Sequence, residues 1–113
     1  MLKIYHNPRC IKSRAGLDYL KSNSVEFEMI DYMKKPLTEK ELKKLLEKLG
    51  KKPMDIIRTQ EDFYKKELKG KNLSDSEWIK TLAQNPRLIQ RPIIESTTKA
   101  VIGDPADNID NIL

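Results

Sequence analysis

The chain holds one histidine and one cysteine, His6 and Cys10, and both lie in a single basic stretch, HNPRCIKSR. A lone thiol cannot close a disulfide within its own chain, so it is a buried filler, a metal ligand, a crosslink to a partner, or a nucleophile. Arg9, Lys12 and Arg14 surround it with positive charge, which favours the thiolate over the thiol. Asn7-Pro8 breaks the chain just before Cys10, so the sulfur is expected in the first turn of the helix that follows. Free backbone N–H groups and the positive end of the helix dipole stabilise an anion there. Ser13 is placed to donate a hydrogen bond to the sulfur, and a protonated His6 beside it would lower the thiol pKa further. The plain alternatives are an inert buried cysteine and a structural histidine.

Zinc needs three or four ligands, which one Cys and one His do not supply, so no metal is expected. An anion loop of the tyrosine-phosphatase type sets an arginine six positions after its cysteine, and that position here is Gly16. An oxyanion must therefore be held by arginines from elsewhere. Arg58 and Arg91 are the candidates, because a guanidinium fork matches an oxyanion bidentately. Arg91 is the less ordinary of the two, since it precedes Pro92 at the start of a strand; Arg58 also reads as a surface residue.

The elements that must position these groups follow from periodicity. LKIYH at 2–6 alternates as a short strand, Leu17 and Leu20 mark the buried side of a helix over about 11–22, and VEFEMIDY at 25–32 alternates with Val25, Phe27 and Met29 inward. Strand, helix, strand predicts a parallel pair with a right-handed crossover. Thr38 with Glu41, and Ser74 with Glu77, are capping boxes that start two helices, with Leu37/Leu42 and Leu73/Trp78 as hydrophobic staples. PMDIIRTQ and EDFYKKELKG are shorter helical pieces, and Asn85-Pro86 ends the second capped helix. RPIIE and KAVIG predict an antiparallel hairpin. Asp104 is then expected to cap a last helix, with Pro105 at its first position and Ile109, Ile112 and Leu113 facing inward.

These elements predict an α/β fold ordered β-α-β, helices, β-β-α around a mixed sheet. The 113 residues suit a single domain, 1–113, with a helical insertion at about 34–88. The net charge of +5 concentrates in KKPLTEKELKKLLEKLGKK, where leucines at helical spacing oppose a lysine-rich face. That face lacks the aromatic residues that stack on bases, so a solvated helix is expected and no nucleic-acid partner. No apolar run reaches membrane-spanning length and no signal peptide is evident, so a cytoplasmic protein with a reduced thiol and no membrane contact is expected.

HNPRCIKSR, IIR at 56–58, NPRLIQRPII at 85–94 and the closing hairpin and helix together resemble the ArsC family, glutaredoxin-linked arsenate reductases of thioredoxin fold with a helical insertion. The family's loop, Asn-Pro-x-Cys-x-x-Ser-Arg, is matched by Asn7, Pro8, Cys10, Ser13 and Arg14, with His6 also in place. The resemblance implies that Cys10 is the nucleophile that forms a covalent arsenate adduct. It also implies that Arg58 and Arg91 bind the oxyanion, that Arg14 and Pro92 belong to the same substrate-binding set, and that Pro92 is a cis-proline facing the thiol. No bound cofactor is implied; glutathione is the reductant and glutaredoxin the partner. One departure stands out. Where the family's arsenate reductases carry a third arginine before the proline of the closing helix, this chain has Gly103 and Asp104, and an acidic residue there opposes a dianion. Two other functions share the resemblance. Spx-type regulators bind RNA polymerase and sense oxidants through Cys-x-x-Cys, but Ser13 stands at the second position here. A monothiol oxidoreductase acting on glutathione adducts needs only Cys-x-x-Ser.

Overall fold

The computed structural model describes residues 2–113, which form two compact units: residues 2–35 with Arg91–Leu113, and Pro36–Gln90. The first unit is built on a four-stranded mixed sheet ordered β2-β1-β3-β4, from β1 (Leu2–His6), β2 (Phe27–Asp31), β3 (Ile93–Glu95) and β4 (Ala100–Ile102). Strands β1 and β2 run parallel with Ile4 opposite Met29, joined by the helix α1 (Ile11–Ser22). Strand β3 returns antiparallel to β1 with Ile94 opposite Ile4, and β4 completes the hairpin with Val101 opposite Ile94. This is the mixed α/β sheet that the order of elements predicts, and the thioredoxin-like fold that the family resemblance implies.

The core explains the pairing. Ile4, Leu20, Ile94 and Ile109 are fully buried against one another, one each from β1, α1, β3 and the closing helix. Ser13, Gly16 and Leu20 form the inward stripe of α1, spaced three and four residues apart as a helix face requires.

Two expectations are corrected here. Strand β2 is shorter than 25–32, and Met29 is 53% exposed instead of inward. The cause is its place at the sheet edge: Val25 and Phe27 reach the core, while Met29 lies beyond its cover. The closing helix is a 3-10 helix, Ala106–Ile112, capped by Pro105 and not by Asp104, and it buries Ile109 while leaving Leu113 exposed.

In the second unit, α2 (Glu39–Leu49) and α3 (Asp75–Gln84) begin at the capping boxes read from the sequence. The Glu41 amide donates to Thr38 Oγ1 and the Thr38 amide to Glu41 Oε1, each at 3.1 Å. Ser74 and Glu77 repeat the exchange at 3.1 and 3.2 Å. Between the two helices lie a 3-10 turn opened by Pro53 and a π-helical turn, Tyr64–Leu68. Leu42, Leu45, Ile56, Trp78 and Leu82 are buried in this unit.

Leu20 sits at the centre of the first unit's core with no exposure. Leu20→Ala is expected to cost about 2–5 kcal/mol in urea unfolding, and Leu113→Ala about 0.5 kcal/mol or less.

Candidate active site

Strand β1 ends at His6, and the next four residues are held by a small set of hydrogen bonds. The Cys10 amide donates to Asn7 O at 3.0 Å, closing a turn, and the Arg9 amide donates to Asn7 Oδ1 at 3.1 Å. The Asn7 amide donates to Ser13 Oγ at 3.2 Å, which ties the loop to the first turn of α1. Asn7 is buried and Ser13 fully so, so these bonds are shielded from water. Asn7 is thus the residue that shapes the loop. An Asn whose side chain folds back on the amide two residues on is readable from sequence, yet Asn7 reads there only as part of a chain break and of the family motif.

Cys10 takes the N-cap position of α1 in extended conformation, φ −98° and ψ 126°. Its side chain forms no short capping bond of the Ser or Asp kind, but the Ser13 and Lys12 amides point at the sulfur. Burial pushes the Cys10 pKa up. The Ser13 and Lys12 amides, then a hydrogen bond from Arg91 and its charge, outweigh burial and hold the thiol below its ordinary value. Ser13 therefore acts on the sulfur through its backbone N–H, while its hydroxyl braces Asn7.

Arg91 reaches this sulfur because of what packs beneath it. The Arg91-Pro92 bond is cis, and Pro92 nests between two glycines. A Cβ on Gly16 would lie 2.6 Å from Pro92 Cγ, and one on Gly103 3.2 Å from the same atom and 2.6 Å from Ile94 Cδ1. The Gly103 amide also donates to Pro92 O at 2.8 Å. Gly16 is therefore more than the place where an anion-loop arginine is missing: it is the space into which Pro92 fits. Arg91 itself is only 7% exposed, so its guanidinium acts in a poorly screened setting.

His6 does something other than expected. Burial, opposed by a backbone hydrogen bond with Ser13 and the Asp31 charge, lowers its pKa, and Arg14 and Lys21 push the same way. The ring is therefore neutral near pH 7 and supplies no positive charge to the thiol. Its Nδ1 is buried without a hydrogen-bond partner among the described residues. Arg14 is exposed on α1, where its amide donates to Cys10 O at 3.1 Å.

Arg58 belongs to the second unit. Its amide donates to Leu88 O at 2.7 Å, beside the Ile57–Ile89 bridge. Its guanidinium meets Glu61 at 3.3 Å, and Glu61 also meets Arg87 at 3.6 Å. Asp104, expected as a helix cap, instead pairs with Lys12 at 2.8 Å. No pattern in the sequence joins those two positions.

Two consequences can be measured. Arg91→Gln is expected to move the midpoint of the pH profile for Cys10 alkylation by iodoacetamide upward, and His6→Gln to leave it nearly in place. Folding also releases a proton between the depressed folded-state pKa and the ordinary thiol value of about 8.5. Wild-type stability relative to Cys10→Ser should therefore rise with pH through that window, stay constant above it, and fall as pH drops through the folded-state pKa. Unfolding curves for both proteins across that range test the sign.

The family model "ArsC family" matches residues 5–112. An arsenate reductase of Neisseria meningitidis is 37% identical over 114 residues, covering 99% of this chain and 97% of that one. The solved structure of an arsenate reductase from Vibrio cholerae matches with a TM-score of 0.94 at 34% identity, covering 99% of this chain and 97% of that one. A more distant relative, the global transcriptional regulator Spx of Streptococcus mutans, is 32% identical over 110 residues, covering 96% of this chain and 80% of that one. With the cysteine loop and the mixed sheet already in place, these matches assign the chain to the ArsC family.

Proposed function

We propose that the protein is a thiol reductase of the cytoplasm that reduces arsenate to arsenite through Cys10, with glutathione and glutaredoxin as electron donors. The observation that carries this is the sulfur of Cys10 faced by two helix-terminal amides and by the buried Arg91 guanidinium. Such a sulfur ionises more readily than an ordinary thiol, and the same donors attract an oxyanion to it. The names of the relatives supply the oxyanion.

The steps follow from the electron count. The Cys10 thiolate attacks arsenic(V); an oxygen leaves as water once protonated, and a sulfur–arsenic bond forms. Arg91 balances negative charge on the arsenate oxygens, and the family resemblance gives Arg58 and Arg14 the same task. A glutathione thiolate then attacks the Cys10 sulfur. The sulfur–arsenic electron pair stays on arsenic, which leaves as arsenite in the +3 state, and the two sulfurs become a mixed disulfide. A glutaredoxin thiolate attacks the glutathione sulfur and returns Cys10 as thiolate. Two electrons move in total, both from thiols, so no bound cofactor is required.

The Lys12–Asp104 ion pair favours a second reading, a monothiol oxidoreductase for glutathione adducts, because it sets a carboxylate near the first turn of α1. An Spx-like switch is disfavoured, since Ser13 cannot form the second half of an internal disulfide.

Arsenate reduction with glutathione and glutaredoxin, with thioredoxin as the control donor, separates these readings. Cys10→Ser is expected to abolish turnover. Arg91→Ala and Arg58→Ala are each expected to lower kcat/KM by roughly 2–5 kcal/mol with the fold retained. Brisk reduction of glutathione mixed disulfides with no arsenate turnover would select the monothiol reading.

A further inference from the structure

The first turn of α1 carries Lys12, whose amide faces the Cys10 sulfur and whose ammonium lies 2.8 Å from a carboxylate oxygen of Asp104. Both side chains are substantially exposed, 58% for Lys12 and 39% for Asp104, so the pair adds little to stability. Its position is nevertheless fixed from both sides. Lys12 is held by the helix start, and Asp104 follows Gly103, which is locked against Pro92, Ile94 and Ile109 and donates its amide to Pro92 O at 2.8 Å. Asn108 Nδ2 bonds the carbonyls of Ile102 and Asp104 at 3.1 and 3.3 Å, which holds the backbone on either side of Gly103. A negative charge is therefore anchored to the same residue, Pro92, whose neighbour Arg91 bonds the sulfur.

We propose that Asp104 is a specificity-determining residue: by pairing Lys12 at the rim of the Cys10 site, it biases the thiolate against doubly negative substrates in favour of neutral or singly charged ones. The charged side chain that acts on the sulfur directly, Arg91, is positive, and Lys12 two residues along the helix is positive too, so the carboxylate of Asp104 opposes the sign of the site through its pairing with Lys12. A partly exposed charge at the rim acts on an approaching anion through solvent, and its effect scales with the anion's own charge. Arsenate near neutral pH is divided between monoanion and dianion, so Asp104 slows its reaction without excluding it; a glutathione mixed disulfide presents its reacting sulfur atoms without charge. The proposal rests on Cys10 being the reactive nucleophile, and its test keeps the two claims apart.

The test uses disulfide reagents of different charge on the intact protein. In each case the Cys10 thiolate attacks a reagent sulfur, a mixed disulfide forms and an aromatic thiolate leaves. 5,5′-Dithiobis(2-nitrobenzoate) carries two negative charges and 4,4′-dithiodipyridine carries none at mildly alkaline pH. Rates are taken at low ionic strength and corrected for the thiolate fraction of each variant. For Asp104→Asn the ratio of dianionic to neutral rate constants is expected to rise about three- to tenfold, and to converge on wild type as salt is added. Asp104→Glu should retain the wild-type ratio. Asp104→Ser removes the same charge with a smaller side chain and should raise the ratio likewise, so the proposal stays testable if Asp104→Asn does not fold. An unchanged ratio in folded Asp104→Asn or Asp104→Ser overturns the proposal while leaving Cys10 as nucleophile. Slow reaction of wild type with the neutral reagent overturns the underlying reading instead.

Discussion

Everything at this site depends on one placement: the Cys10 sulfur at the start of α1, where two backbone N–H groups lack helical acceptors and a guanidinium closes from the side. A thiol moved one turn along the helix would lose the amides, and burial alone would then raise its pKa. The surrounding fold serves that placement. Asn7 shapes the loop, Ser13 Oγ ties it to the helix, and the pairing of β3 with β1 brings Arg91 to the end of β1.

The same placement accounts for the two buried glycines of α1 and the β4 end. Arg91 is nearly excluded from water, and a guanidinium so placed gains most from nearby negative charge. For Arg91 to stand there, Pro92 must lie close against both α1 and the segment after β4. Gly16 and Gly103 provide that space by having no side chain, and any Cβ would collide with Pro92 or Ile94. For this reason a cation cannot be introduced simply at position 103. Asp104, one residue on, is the first position of that segment whose side chain is free to reach the rim.

Sequence periodicity was sufficient for the strands of the sheet, for α1 and for both capped helices, because each carries a local signal: alternation, a helical stripe, or a reciprocal cap. It failed at Met29, where burial depends on which strand lies at the edge of the sheet, a matter of tertiary order. It failed again at Asp104, where an ordinary capping pattern lost to a lysine ninety-two positions earlier in the chain. At the site, the type of chemistry was legible in Cys10 and its basic loop. The roles of its neighbours were not. Ser13 works through its amide and braces Asn7 with its hydroxyl, and His6 is neutral because it is buried; both depend on exposure and hydrogen-bond direction, which spacing does not carry.

The most direct test of the central claim is titration of Cys10 by the ultraviolet absorbance of its thiolate, with Cys10→Ser as the blank. The account predicts a single transition below the ordinary thiol value of about 8.5. A transition at or above that value would contradict it, because the helix-terminal amides and Arg91 would then fail to outweigh the cost of burying the sulfur.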